Sequence, residues 1–206
     1  VFCRRVVDLA RGESHRERGH HLNRPELAAP QIVERLRSKQ RVPHAEVANA
    51  RALDLACGGG RHTRLLAARG ARVTAIDRDA AAIARLDGSL GVRALCADVE
   101  NGHWPLADEQ FDALVVANYL HRPLFSDLRR CLAPAGVLIY ETFMVGNERF
   151  GRPSNPDFRL RAGELLDLCA GMWIVAFEQG EIEDIKPAMV QRICAIQPPA
   201  TGPRIP

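Results

Sequence analysis

A chain of 206 residues is long enough for one large domain with its own core. Its apolar share of 47% excludes a disordered protein, and no apolar run approaches the length that a helical membrane span needs. The net charge of +3 is too small to argue for nucleic acid by itself.

The first fifty residues carry ten basic and six acidic side chains, a local +4 that leaves −1 for the rest. They read as an accessory helical or lid segment, with "ELAAPQIVERLRSK" its most helical part and Arg24 able to reach a ligand. The N-terminus lacks the apolar core of a signal peptide, so the cytoplasm is the expected address. The six cysteines form no Cys-x-x-Cys pair and mostly sit in apolar runs, as reduced, buried thiols do. His15, His20 and His21 surround Glu17, but no nearby cysteine or regular element fixes them as ligands, and no metal is expected.

From Ala50 the pattern alternates. "RALDLAC" (51–57) reads as a buried strand, and Arg61 to Arg69 as a helix closed by Gly70. "ARVTAID" (71–77) is a second strand; Asp79 caps a helix through Leu86, and Gly88 follows. "VRALCAD" (92–98) is a third strand, and residues 99–110 are rich in turn formers. "FDALVVAN" (111–118) is the most strand-like run. Pro123 opens a helix whose Leu124, Leu128 and Leu132 share one face, and "PAG" (134–136) turns into strand "VLIYETF" (137–143).

Residues 144–163 hold glycines, prolines and four arginines with no clean period. A helix is expected over Ala162–Ala170, then strands at 172–180 and 188–197 joined by an acidic turn, then a frayed tail. Strands alternating with helices predict a mostly parallel sheet, helices on both faces, with the final strand antiparallel. The expected division is 1–49 as accessory segment, 50–197 as the binding domain and 198–206 as tail.

The turn after the first strand lies at the carboxyl edge of such a sheet, where ligands bind. Its "CGGG" brings backbone close to a ligand with few side chains in the way. A dinucleotide fingerprint needs glycine or alanine where Thr63 stands, and a Walker loop needs Gly-Lys-Ser/Thr, which is missing. Asp77 and Asp98 end the next two strands, and a fixed carboxylate suits a diol.

Asp54-x-Ala56-x-Gly58-x-Gly60 resembles motif I of the class I S-adenosylmethionine-dependent methyltransferases, and the resemblance runs through most of residues 50–197. It implies a seven-stranded Rossmann-like α/β sheet and S-adenosylmethionine as cofactor, with S-adenosylhomocysteine as product. Asp77, with Arg78 beside it, is then the ribose-holding acid. Asp98 and the backbone of Val99 face the adenine, and Asn118 borders the cofactor from the fourth strand. "CLAPAGVLIYETF" looks like the family's "L-x-P-G-G" turn and fifth strand. Ala56 departs from the pattern, standing where the family more often has glycine. "GRHTRLLAARG" with "ARVTAID" is also similar to small-molecule methyltransferases acting on tellurite or thiopurines.

In this family the segment after strand four borders the transferable methyl, which makes Tyr119 and His121 the catalytic candidates there. An imidazole suits proton removal near neutral pH, though His121 also fits a helix-capping role. Glu141, near the end of strand five, is a second candidate base, with a structural hydrogen bond as the alternative. Arg122, Arg149 and Arg152 are candidate holders of an anionic small substrate, with pairing to Glu148 and Asp157 as the alternative. Asn118 lacks a following Pro-Pro-Tyr, which argues against a nucleic-acid substrate. Open rivals are an NAD(P)-dependent oxidoreductase, a non-catalytic S-adenosylmethionine-binding protein and a nucleic-acid methyltransferase.

Overall fold

The computed structural model describes residues 49–182 and 186–199. The N-terminal segment with its histidines and Arg24, the acidic turn at 183–185 and the last seven residues of the tail lie outside the described residues.

Seven strands form one sheet: β1 (Arg51–Leu55), β2 (Arg72–Asp77), β3 (Val92–Cys96), β4 (Phe111–Ala117), β5 (Leu132–Phe143), β6 (Trp173–Ile182) and β7 (Ala188–Ile196). Their order is β3-β2-β1-β4-β5-β7-β6. The first five are parallel, and β7 runs antiparallel to both β5 and β6. The one reversed strand is therefore the last in the chain, as expected. β1 and β4 are neighbours although two strands separate them in sequence. The strand order reverses at that point, and a crevice opens at the carboxyl edge.

Helix α1 (Arg61–Ala67) crosses from β1 to β2 and α2 (Ala80–Ala84) from β2 to β3. Both end earlier than the sequence suggests, in turns that carry Gly70 and Gly88 at positive φ. Asp79 caps α2 as expected, accepting from the N–H groups of Ala81 (2.9 Å) and Ala82 (3.2 Å). Pro123 lies in a 3-10 turn (Arg122–Leu124) that leads into α3 (Phe125–Cys131). Leu124, Leu128 and Leu132 are all buried. The helix expected over 162–170 contracts to α4 (Glu164–Leu168).

The main core lies on one side of the sheet. Leu53, Leu55, Ile76, Leu114, Val116 and Leu138 pack there under Trp104, Leu106, Phe125 and Leu128. Phe125 stacks on Tyr140 at 5.1 Å between centroids. Smaller clusters around Ile83 with Leu86, and around Ala71 with Val73, fill the other side under α2 and α1. The "PAG" turn is absorbed into β5, which pairs from Leu132 and shifts register opposite Phe111/Ala113. Gly136 is required there, since a Cβ would meet the Ala133 carbonyl oxygen at 2.8 Å. No described helix is long and apolar enough to cross a membrane.

Candidate active site

The carboxyl ends of β1 to β5 surround a cleft of about 690 Å³. Ala56, Asp77, Asp98 and Asn118, each at or just past a strand end, line one half. Phe143, Arg152 and Phe158 line the other. The five parallel strands thus deliver backbone and polar side chains to a single crevice.

The glycine loop is tied down from below and from the side. Asp54 is buried in β1 and accepts from the Thr63 hydroxyl at 2.6 Å, which anchors the start of α1. Burial pushes the Asp54 carboxyl up to about 6, against the Thr63 hydrogen bonds that favour its charged form. Gly60 has φ +72, and a Cβ on it would meet the Leu86 side chain at 2.4 Å, so this glycine serves close packing on Leu86, just past α2. Gly58 differs, because a Cβ there would meet nothing within 4 Å. Its N–H donates to Asp77 Oδ2 at 2.7 Å, and Asp77 Oδ1 accepts from the Asp79 N–H at 2.9 Å. Each carboxylate oxygen has a further acceptor site, and the space over Gly58 is open.

Ala56 has φ +52 and Ala135 has φ +63. Both adopt the left-handed region that glycine occupies without strain, and Ala56 is the position where the resemblance leads one to expect glycine. Asn118 also has a positive φ (57°), which asparagine tolerates better than most residues. Asp98 Oδ1 accepts from the Glu100 N–H at 2.9 Å, while Oδ2 has no partner among the described residues.

Residues 52–136 match a family described as a methyltransferase domain. No curated protein sequence matches the chain. Similar solved structures include TehB from Haemophilus influenzae, at 17% identity and TM-score 0.61, covering 82% of this chain and 62% of that one. The chain thus spans less than two thirds of TehB. The N-methyltransferase NodS from Bradyrhizobium japonicum WM9 is 20% identical with TM-score 0.59, covering 82% and 98%. An S-adenosylmethionine dependent methyltransferase from Mesorhizobium loti is 20% identical with TM-score 0.59, covering 80% and 96%.

Residues 52–136 thus match a methyltransferase domain, and the sheet has the fold of S-adenosylmethionine-dependent methyltransferases.

S-adenosylmethionine is the cofactor of the S-adenosylmethionine-dependent methyltransferases that share this fold. The open space over Gly58, the remaining acceptor sites of Asp77 and Asp98 Oδ2 are consistent with it.

The fold brings Ala56, Asp77, Arg78, Asp98, Val99, Asn118, Tyr119 and Arg152 onto the cleft. Asp54 and Gly60 act beneath the loop. The remaining candidates sit elsewhere. His121 precedes the 3-10 turn without a side-chain capping bond and is not among the cleft residues. Glu141 pairs with Arg192 at 3.1 Å, because their register across β5 and β7 sets them side by side. Arg149 pairs with Glu181 at 2.9 Å and lies 4.9 Å from the centre of the Phe150 ring.

Arg122 is a brace. Its guanidinium donates to both carboxylate oxygens of Glu164 (2.6 and 3.0 Å) and to the carbonyls of Asp157 (2.6 Å) and Arg159 (3.0 Å). Glu164 is buried, and these bonds to Arg122 hold its carboxyl down to about 2, helped by the Arg161 N–H. Tyr119 donates to Glu100 Oε1 at 3.1 Å. Burial, and then the Glu100 carboxylate, keep this phenol protonated well above its ordinary range, so it is a donor rather than a base.

Sequence reasoning missed Glu100, Thr142, Phe143, Ser154, Asn155 and Phe158 as cleft residues. The only signal for the last three was the aperiodic run after β5. Functional loops of this kind carry no hydrophobic period to read.

Proposed function

We propose that the chain transfers a methyl group from S-adenosylmethionine to a small acceptor bearing an anionic group. The observation that carries this reading is the two-sided cleft. Acids and a backbone loop line the half at β1 to β4, and Arg152 lines the half opposite. In this reading Asp77 holds the ribose hydroxyls, Asp98 and the Val99 backbone hold the adenine, and Ala56 and Gly58 flank the amino-acid end. When bound, S-adenosylmethionine supplies an electrophilic methyl on a positively charged sulfur. The small-molecule substrate occupies the Arg152 half, and the absence of a disulfide among the five described cysteines suits a reducing cytoplasmic setting.

Among the described residues, those lining the cleft include no histidine, lysine or cysteine. Catalysis then rests on placement of nucleophile and methyl, which supplies roughly 7–11 kcal/mol. A general base adds roughly 10²–10⁴-fold, about 3–5 kcal/mol, and is the smaller contribution. What the chain's residues do is fix geometry. Asp77 locks the loop, Tyr119 ties Glu100 to the β4 end, and Arg122 holds the 152–159 strap in place.

Calorimetry with S-adenosylhomocysteine and with NAD tests the cofactor half. Micromolar binding of the former and none of the latter is expected. Labelled methyl should pass to small organic acids and not to total RNA or DNA. Absence of S-adenosylhomocysteine binding overturns the proposal.

A further inference from the structure

Five arginines belong to the strap after β5 and its brace, and four of them have carboxylate partners. Arg122 and Arg161 engage Glu164, Arg149 engages Glu181, and Arg159 engages Glu148. Arg152 differs. Its guanidinium has no ion pair or hydrogen bond among the described residues, yet the residue lines the cleft. Its backbone is held firmly. The Arg152 carbonyl accepts from Asn147 Nδ2 at 3.1 Å, and Asn147 Oδ1 accepts from the Met189 N–H at 3.0 Å. Asn147 is 1% exposed, so this clamp between strap and β7 is shielded from water.

The cleft wall on the same side sets two aromatic rings and a proline among the polar Thr142, Ser154 and Asn155. Phe143 at the end of β5, Pro153 and Phe158 line it, and Phe158 remains 49% exposed. A large aromatic left half open on a concave surface offers a ring face to a ligand. The charges across the cleft are acidic: Asp77, Asp98 and Glu100, with Arg78 beside Asp77.

Building on the methyl-acceptor reading above, we infer that this half of the cleft takes a flat, apolar-bodied monocarboxylate. The acid group sits on Arg152 and its aromatic or conjugated body lies against Phe143 and Phe158. The planar guanidinium matches a carboxylate with two parallel hydrogen bonds. A dianion such as a phosphate meets only one unpaired guanidinium on this side and three carboxylates across the cleft, which disfavours it. A short aliphatic acid leaves the aromatic wall uncovered.

The test titrates benzoate, cinnamate and 4-hydroxybenzoate into the full chain, with benzamide, cinnamamide, acetate and inorganic phosphate as controls. Binding is followed by ligand-observed NMR, with and without S-adenosylhomocysteine. At least one aromatic acid should bind at least tenfold tighter than its amide, acetate or phosphate. Arg152→Gln should weaken that acid at least tenfold and its amide less than twofold. Phe158→Ala should weaken acid and amide together. Equal binding of acids and amides, tighter binding of phosphate, or an Arg152→Gln variant that binds acids as before overturns the inference. S-adenosylhomocysteine is titrated separately. If it fails to bind while acids bind through Arg152, the methyl-transfer reading falls and this inference stands. If it binds and no aromatic acid does, the reverse holds.

Discussion

The carboxylate of Asp77 accepts the backbone N–H of Gly58 at 2.7 Å, so the acid at the end of β2 sets the shape of the loop after β1. Asp77→Asn puts an amide N–H₂ against one of two backbone donors, Gly58 or Asp79. A charge-assisted hydrogen bond contributes about 1.5–3 kcal/mol. S-adenosylhomocysteine affinity should fall at least tenfold by calorimetry. Unchanged affinity would show that the loop needs no such tie.

Asp54 gives stability an unusual pH dependence. Its carboxyl titrates at about 6 in the folded protein against 3.8 in the unfolded chain. Between these values the folded state holds the extra proton, so stability falls as pH rises from about 4 to about 6. Two pH units correspond to about 3 kcal/mol. Asp54→Asn should remove this slope, and its stability advantage over the parent in urea melts should grow from pH 4 to pH 6, then level off.

Glu164 works in the opposite sense. Its carboxyl is held down to about 2 from 4.5, so its pairing stabilises the fold above pH 4.5 and is lost as pH falls toward 2. Glu164→Gln leaves Arg122 without its charged partner and should cost about 3 kcal/mol at neutral pH. The strap should loosen as well, raising the acceptor KM while S-adenosylhomocysteine affinity stays within twofold.

The arginines separate into two groups by experiment. Arg149 pairs on the surface with Glu181, and exposed pairs of that kind contribute about 0–1 kcal/mol. Arg149→Ala should therefore leave both acceptor KM and thermal midpoint nearly unchanged. A severalfold rise in KM would mean that Arg149 reaches the acceptor after all.

Ala135 holds φ +63, a conformation costing a non-glycine residue roughly 1–2 kcal/mol. Glycine removes that strain but adds about 0.5–1 kcal/mol of unfolded-state entropy. Ala135→Gly should stabilise the protein by about 0.5–1 kcal/mol, measured as a small rise in urea midpoint. A fall would show that the alanine methyl makes packing contacts that outweigh the strain.

Much of this architecture was legible in the sequence because it is periodic. The alternation of buried strand and capped helix from Arg51 to Asp98 predicts parallel order, and acids at strand ends mark the carboxyl edge. The placement of Asp77 and Asp98 on the carboxyl edge was readable since strand length fixes it, whereas Asp54 lies inside β1 beneath the loop. The roles of Arg122 and Arg149 were not. Which arginine pairs with which carboxylate depends on contacts 42 and 32 residues apart in sequence, and nothing local encodes them. The partner of Glu141 was illegible for the same reason, since Arg192 arrives from β7. The aromatic wall at Phe158 belongs to a segment with only a 3-10 turn (Pro156–Phe158) and no repeat to follow.

The position of β7 between β5 and β6 constrains how the molecule is made. Of the described strands it is synthesised last, yet it supplies the inner seam that joins β6 to the rest. While the ribosome is still short of Ala188, β5 ends in an open edge and β6 has no partner at all. Ile193 and Ala195, buried in the finished protein, are not yet there to seal the core. The nascent chain therefore passes through a stage with raw strand edges and uncovered apolar surface, the kind of intermediate that aggregates or recruits chaperones.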